Sequence, residues 1–502
     1  MNIKAVGFYI GHVLRLLAAM MLPPLLIAFF AHEEGTVAAF ALSMGITMAA
    51  GCILLLLKRP GSGGVRPAEG FITVSLSWIL ISLFGCLPFY FSRYIPRFVD
   101  CVFETVSGFT TTGATILTDV ELLPNSLLYW RSFTHWIGGM GVLVFMMAVV
   151  PLAKGNGESM HLLRAESPGP VVGKLTAKMK DTTRVLYLIY IAMTVLLVVL
   201  LLAGGMPLFD SVVNAFATAG TGGFGIKNAS IAAYQSRYLQ TVIAVFMMLF
   251  GVNFNVYYFI LIGKGAQALK GEEFRAYIGM VIAGTLMIAL NILPLYGNDF
   301  AQALHQSFFQ VSSIISTTGF ATADFDKWPE FSRMILMALL ISGASAGSTA
   351  GGIKVARIVM LFKGLKAEVM RAVRPRRVET ICMDGKRIDA SVMRGTYGFV
   401  SAFVAICAAS MLLVSLDNFD FTTTVTGVLT CIGNVGPGLS MVGPAPFPTQ
   451  ASWCCRSICS SAGWRYSRSY SCSAQGYGGE GGNTKRLHHL RGSCRRKPTE
   501  GE

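Results

Sequence analysis

The chain has 502 residues, of which 53% are hydrophobic and only 13% are charged. This composition excludes a multidomain soluble protein and indicates a protein that crosses a membrane several times. The formal net charge of +15 could suggest nucleic-acid binding, but the basic residues lie between apolar runs, so we expect membrane lipid and no nucleic acid as a partner.

Nine apolar runs are long enough to span a bilayer. They lie near residues 7–30, 36–57, 70–92, 127–153, 183–204, 238–263, 276–296, 333–362 and 394–416. Lysine and arginine are concentrated in alternate loops, most densely between residues 363 and 394, and the intervening loops carry mixed charge. This distribution predicts a cytoplasmic N-terminus.

In chain order, residues 1–60 predict two helices with no pore-like segment. A pattern then recurs four times: a spanning helix, a short apolar segment, a Thr/Gly run and a second spanning helix. We place these repeats at residues 61–155, 156–264, 265–365 and 366–443, the last of which is incomplete. Internal repeats of this kind predict a site on the axis that they surround.

The Thr/Gly runs lie at residues 110–114, 219–224, 316–320 and 432–438. Non-helical backbone at membrane depth is tolerated where it lines a water-filled path, and glycine allows successive carbonyls to face that path. The short helices enter from the outer side, so their negative C-terminal ends favour a cation near the membrane centre. The predicted filter residues are Thr111, Thr112, Gly113, Thr221, Gly222, Gly223, Thr317, Thr318, Gly319, Asn434, Val435 and Gly436.

A glycine-rich stretch interrupts the second helix of the third repeat at residues 342–354. One interpretation is a mobile intramembrane loop that obstructs permeation, and the other is close helix packing through small residues four positions apart. Lys354 is either a polar end to the helix or a charge near the pore. The candidate loop residues are Gly343, Ser345, Gly347, Gly351, Gly352 and Lys354.

These motifs, together with Trp136-Ile137-Gly138-Gly139-Met140-Gly141, resemble the TrkH-like branch of the Trk/Ktr/HKT superfamily of potassium transporters. The resemblance covers residues 1 to about 443. It implies an all-α polytopic membrane protein, in which two extra helices precede four helix–pore loop–helix repeats around one central pore. Glycine at the last position of all four filters is the family's pattern for K⁺.

The resemblance also implies what the protein does. It implies K⁺ uptake across the bacterial cytoplasmic (inner) membrane without a cofactor, with K⁺ bound at Thr112, Thr318 and Val435, and with the loop as the gate. The expected partners are a second copy of the chain and a cytosolic nucleotide-binding regulatory subunit on the basic loops.

Two local motifs favour other classes of protein. Residues 343–347 fit G-x-S-x-G, which suggests an intramembrane serine hydrolase with Ser345 as nucleophile. Its base would have to be His135 or His305, and we expect both to lie away from Ser345. Residues 220–225 fit the dinucleotide pattern G-x-G-x-x-G, but no strand is predicted before them, so we expect no nucleotide site there.

From residue 444 onward the sequence departs from the family. No long apolar run supplies a last helix, and between Arg456 and Lys497 nine basic residues face only Glu480. Under the predicted topology these charges would emerge outside, against the positive-inside rule. We expect residues 444–502 to be an aberrant, disordered tail. An alternative function of the chain is therefore that of an inactive transporter, truncated or frameshifted at its C-terminal end. A genuine soluble extension is the alternative.

Overall fold

The computed structural model describes residues 3–56, 67–139, 141, 179–376 and 380–443. The hypothesis about residues 444–502 therefore lies outside the described residues. The helices are α1 (Ile3–Met20), α2 (Leu22–Phe30), α3 (Glu34–Leu55), α4 (Pro67–Gly85), α5 (Leu87–Phe91), α6 (Phe98–Phe109), α7 (Asn125–Gly139), α8 (Met179–Ala203), α9 (Leu208–Ala219), α10 (Arg237–Phe250), α11 (Phe254–Leu261), α12 (Gly265–Leu269), α13 (Glu272–Ile292), α14 (Phe300–Ile315), α15 (Glu330–Ser342), α16 (Val355–Val373), α17 (Ala390–Ser415) and α18 (Phe421–Gly433).

Short 3₁₀ turns and one hairpin complete the described elements. The 3₁₀ turns are Ser230–Ala233, Leu293–Tyr296, Phe325–Lys327 and Ser440–Val442. The hairpin pairs β1 (Cys382–Met383) with β2 (Lys386–Arg387) in antiparallel register, with Cys382 opposite Arg387. Over the described ranges the fold is therefore all-α apart from this hairpin between α16 and α17.

Six helical segments in the described ranges are long and apolar enough to span a membrane, and α10 with α11 makes a seventh if the bent pair counts as one span. The six are Val6–Phe30, Glu34–Leu55, Ile72–Phe91, Arg184–Ala203, Glu272–Tyr296 and Ala390–Ser415. Each coincides with a run predicted from the sequence. Of the other three predicted runs, 127–153 lies partly outside the described residues, 333–362 is interrupted between Ser342 and Val355, and 238–263 is the bent pair.

The predicted run 238–263 is not one straight helix. It bends by 90° between α10 and α11, at Gly251, Val252 and Asn253. The Asn253 side chain accepts a hydrogen bond from the Asn255 N–H at 3.0 Å and so caps the start of α11. The hydroxyl groups of Tyr277 and Tyr257 donate to carbonyls at the end of α10, at 3.0 and 2.6 Å, which satisfies backbone groups that the break leaves free.

The N-terminal helices pack against the first repeat. Gly11 of α1 and Gly51 of α3 face one another so closely that a Cβ on either would lie 2.9 Å from the other's carbonyl oxygen. Small residues of this kind let two helix backbones approach in a membrane, where packing replaces the hydrophobic effect. Helix α1 also contacts α4, and α2 contacts α7.

The repeats follow one another around an axis. Each short helix, α6, α9 or α14, packs against the second helix of its own repeat, α7, α10 or α15. That second helix also contacts the short helix of the next repeat, so that α7 meets α9, α10 meets α14 and α15 meets α18. This pattern brings the ends of the four short helices together.

Candidate functional site

The four short helices end in the same backbone conformation. The first or second residue after each helix is left-handed, with φ of 60° at Thr111, 52° at Thr221, 57° at Thr317 and 65° at Asn434. The next N–H then donates to the carbonyl five residues earlier, as at Thr112 to Ser107 (2.9 Å). The pattern is a Schellman cap, in which glycine is the usual left-handed residue. Threonine is β-branched and strained there, so three of the four caps carry backbone strain.

A glycine follows two positions after each left-handed cap. Its φ is also positive, at 77° for Gly113, 74° for Gly223, 86° for Gly319 and 90° for Gly436. The residue between cap and glycine keeps a negative φ. Positive and negative φ thus alternate along each segment, a pattern that can turn successive carbonyls towards the same side of the chain. We refer to residues 111–113, 221–223, 317–319 and 434–436 as the filter segments.

The filter segments form a closed ring. At each of their final glycines, the space that a Cβ would need is occupied by the carbonyl oxygen of the middle residue in the next segment. The Cβ-to-oxygen distances are 2.0 Å from Gly113 to Gly222, 1.9 Å from Gly223 to Thr318, 2.3 Å from Gly319 to Val435 and 2.9 Å from Gly436 to Thr112. The last contact returns to the first segment, so the four carbonyl oxygens surround one axis.

The ring has the chemistry of a site for a dehydrated monovalent cation. Its oxygens are backbone carbonyls, which carry no net charge, and the C-terminal ends of four short helices converge on it. The neighbouring side chains of Thr221, Thr317 and Thr318 are fully buried. Which ion the ring holds stays a prediction.

The intramembrane loop, residues 343–354, lies against two filter segments. Its Gly351 N–H donates to the Thr317 hydroxyl at 2.7 Å, and its Gly352 N–H donates to the Gly433 carbonyl at 3.0 Å. Gly343 has φ 65° and ψ −164°, a conformation that glycine alone adopts readily. The loop residues are not helical, so helix packing through a stripe of small residues does not describe them.

Known proteins resemble this chain in sequence and in fold. A family model described as "TrkH: Cation transport protein" matches residues 37–449. This chain belongs to the TrkH family. Two relatives in the family, the Trk system potassium uptake proteins TrkH of Salmonella typhimurium and of Escherichia coli K12, are each 34% identical to it over 448 residues, which is 88% of this chain and 92% of theirs.

A solved structure agrees with the TrkH fold of this chain. The crystal structure of the potassium transporter TrkH from Vibrio parahaemolyticus superposes with a TM-score of 0.79 at 29% identity, covering 91% of this chain and 96% of that one. The resemblance seen in the sequence is therefore confirmed, and so is the all-α polytopic fold; the predicted four repeats around a central pore are consistent with it. This TrkH-family chain is a multi-pass membrane protein.

Asn434 of this TrkH-family chain breaks the symmetry of the ring. Threonine occupies the equivalent cap in the other three segments. The Thr112 hydroxyl donates to Asn434 Oδ1, and Asn434 Nδ2 donates to the Thr110 carbonyl and, at 3.3 Å, to Thr111 Oγ1. One amide therefore joins the fourth filter segment to the first.

A buried ion pair supports the backbone behind the first two filter segments. Arg131 of α7 and Glu104 of α6 are 2% and 0% exposed, and Nε lies 2.8 Å from Oε1. The guanidinium also donates to Thr115 Oγ1 at 3.1 Å and to the Gly225 carbonyl at 3.3 Å, and it lies 4.1 Å from the centre of the Phe224 ring. Sequence reasoning missed this pair, although ionisable residues inside apolar segments were a signal for it.

Lys354 holds the intramembrane loop together from within. Its ammonium group donates to the carbonyls of Ser345 at 3.4 Å, Ser348 at 3.5 Å and Ala350. Its own φ of 76° is unusual for a residue with a side chain. The sequence left the place of this charge open, and the structure places it among three loop carbonyls.

Neither histidine considered as a base for the hydrolase motif contacts Ser345 in the described part of the chain. The Ser345 hydroxyl is buried without a hydrogen-bond partner there. His305, in the third short helix, has its Nε2 2.8 Å from Oε1 of Gln240 in α10, and His135 stacks on Phe224 with ring centres 4.1 Å apart. Residues 220–225 belong to the second filter region, and no described strand precedes them.

Proposed function

We propose that this TrkH-family chain takes up K⁺ through the ring of filter segments. The closed cycle of carbonyl contacts from Gly113 to Gly222 and round to Thr112 carries the proposal, because it supplies oxygens from four sides at one level. The relatives are named potassium uptake proteins, and this chain has glycine at all four final filter positions.

The proposed path combines selection with obstruction. Carbonyls of Thr112, Thr318 and Val435 replace water around K⁺, and the helix C-termini stabilise its charge. Residues 343–354 obstruct the path, and their hydrogen bonds to Thr317 and Gly433 support this role. Conduction then requires those bonds to break.

The proposed setting is a bacterial inner membrane with the N-terminus in the cytoplasm. Two copies of the chain assemble in lipid, and a cytosolic nucleotide-binding subunit docks on the basic loops. Lys366 and Arg371, near the end of α16, have exposed basic side chains. Their exposure supports the end of α16 as part of the docking face. The transport needs no bound cofactor.

Growth of a K⁺-uptake-deficient bacterium on limiting K⁺ tests the proposal. Expression of this chain is expected to restore growth, and a Gly113→Asp variant at equal membrane level is expected not to. Gly297→Asp is the matched control, because Gly297 also has positive φ but has open space around its missing Cβ. No rescue by the unmodified chain, with the protein present in the membrane, would overturn the proposal.

A further inference from the structure

Two interrupted helical runs meet at the intramembrane loop. The intramembrane loop docks on the bend between α10 and α11 through backbone hydrogen bonds. Ser345 N–H donates to the Gly251 carbonyl at 3.0 Å, and Phe254 N–H donates to the Gly347 carbonyl at 3.1 Å. The Thr349 hydroxyl adds a contact to the Phe250 carbonyl at 3.4 Å. The loop therefore rests on the second repeat as well as on the filter.

Glu273 joins these two breaks. It lies in the first turn of α13 and is 9% exposed. One carboxylate oxygen accepts the Ala346 N–H of the loop, and the other accepts Asn253 Nδ2 of the bend at 3.4 Å. Lys354, on the opposite arm of the loop, attracts the same carboxylate.

A buried carboxylate needs its donors. Removing them leaves an unpaired charge in a medium of low dielectric constant, which costs far more than losing a neutral hydrogen bond. If the loop moved away from the filter, Glu273 would lose the Ala346 N–H and the nearby charge of Lys354. The carboxylate therefore favours the position in which the loop contacts Thr317 and Gly433.

We infer that Glu273 is a positioning residue that holds the intramembrane loop in its obstructing position. The inference rests on the proposed function for the loop's role as a gate, but the position of the loop can be measured without ion transport. Glu273 itself does not touch the filter segments. It acts through Ala346 and Lys354 of the loop and through Asn253 of the bend.

The experiment uses the full chain in liposomes with Ser345→Cys as a reporter, since the Ser345 side chain is buried. Modification of residue 345 by a water-soluble maleimide, read by mass spectrometry, reports how often the loop opens, and ⁸⁶Rb⁺ flux reports conduction. The variants are Glu273→Ala and Glu273→Gln. Glu272→Gln is the control, because it removes the same charge one residue away, from a pair with Lys363 that does not involve the loop.

We expect Glu273→Ala to accelerate modification and flux about tenfold or more, the change that follows loss of a hydrogen bond to a charged group. Glu273→Gln keeps an acceptor for Ala346 and should give a smaller increase, which serves as the test if the alanine variant does not fold. Glu272→Gln should stay within about twofold of the parent.

Unchanged modification in both Glu273 variants overturns the inference, and so does an equal acceleration in Glu272→Gln. If no variant conducts but modification follows the expected order, the proposed transport fails and the inference stands. Conduction that rises without faster modification also contradicts it, since the loop would not have moved.

Discussion

The threonines at the left-handed caps carry backbone strain, and their hydroxyl groups form hydrogen bonds. A threonine with φ near 55° is held there only when its surroundings outweigh a cost of about 1–3 kcal/mol. In Thr317 the hydroxyl accepts the Gly351 N–H of the loop, while Thr111 and Thr221 donate to the carbonyl just before them. Glycine would relieve the strain but would remove these hydroxyls. The hydrogen bonds of these hydroxyls therefore give a physical reason for threonine rather than glycine at the three caps.

The final filter glycines should tolerate alanine unequally. A Cβ would lie 1.9 Å from the facing oxygen at Gly223, 2.3 Å at Gly319 and 2.9 Å at Gly436. We expect Rb⁺ uptake to fall most in Gly223→Ala and least in Gly436→Ala, because the clash displaces a carbonyl of the ring. Gly297→Ala adds similar strain, with φ 62° but open space, and should retain uptake. Equal losses in all four variants would contradict the steric argument.

Asn434 should matter for selectivity more than for folding. In Asn434→Asp the donor to the Thr110 carbonyl and Thr111 hydroxyl is lost, and a carboxylate faces that carbonyl. We expect K⁺ over Na⁺ discrimination to fall about tenfold, measured as Na⁺ inhibition of Rb⁺ uptake. Asn298→Asp is the control, an exposed asparagine with the same left-handed backbone, φ 64°. Unchanged K⁺ over Na⁺ discrimination in Asn434→Asp would show that the hydrogen bonds of Asn434 do not fix the geometry of the ring.

Helices α6, α9, α14 and α18 are too short to cross the membrane, as expected for helices that end inside it. Two longer apolar runs are instead interrupted, one between α10 and α11 and the other between α15 and α16. Each break leaves non-helical backbone inside a predicted span. Such backbone is tolerated only when protein groups satisfy it. Here the tyrosine hydroxyls and the loop itself supply the partners.

The ion pair that joins α6 to α7 should contribute strongly to stability. Arg131→Met leaves Glu104 charged and buried, and loss of one partner of such a pair costs roughly 3–5 kcal/mol. The double variant Arg131→Met/Glu104→Met should lose less than the sum of the single variants. Thermal unfolding in detergent measures both. Arg371→Met, which breaks a pair that is 53% and 63% exposed, should change stability by under about 1 kcal/mol; similar losses at both sites would contradict the prediction.

The molecule as a whole is a cycle closed by one chain rather than by identical subunits. Because the repeats differ in sequence, one junction of the ring can differ from the other three. This junction, which we call the seam, lies between the fourth and first segments and is formed by Asn434. The loop contacts the third segment through Thr317, and it lies against Gly433 at the end of α18 and the adjoining Asn434 of the fourth segment. Movement of the loop therefore acts on one half of the ring directly.

The predicted orientation can be tested by labelling from the two sides. Lys327 follows the third filter segment and its side chain is 81% exposed, whereas Lys366 is an exposed residue of α16 beyond the loop. In intact cells we expect an impermeant maleimide to label Lys327→Cys and to spare Lys366→Cys, because the filter segments face outward. Permeabilised cells should show labelling of both. Labelling of Lys366→Cys in intact cells would contradict a cytoplasmic N-terminus.

Much of this protein could be predicted from local patterns. Apolar length marks the spans, and the Thr/Gly runs after short segments mark the four filter positions, because a left-handed backbone and close approach favour glycine. The glycine-rich stretch at residues 343–354 marks a break, since few of its residues favour a helix. These properties depend on neighbours along the chain, so the sequence carries them directly.

Other features depend on residues far apart in the chain. The bend at Gly251 lies inside an apolar run that reads as one span, and it exists because Tyr277, Tyr257 and the loop satisfy its backbone. The partners of Glu273 and Asn434 lie up to 324 positions away. Sequence alone determined the membrane fold, and it predicted the repeats and the filter segments through local backbone chemistry. Folding decided the closed ring, its seam and the docking of the loop, because those rest on packing between repeats that no local pattern encodes.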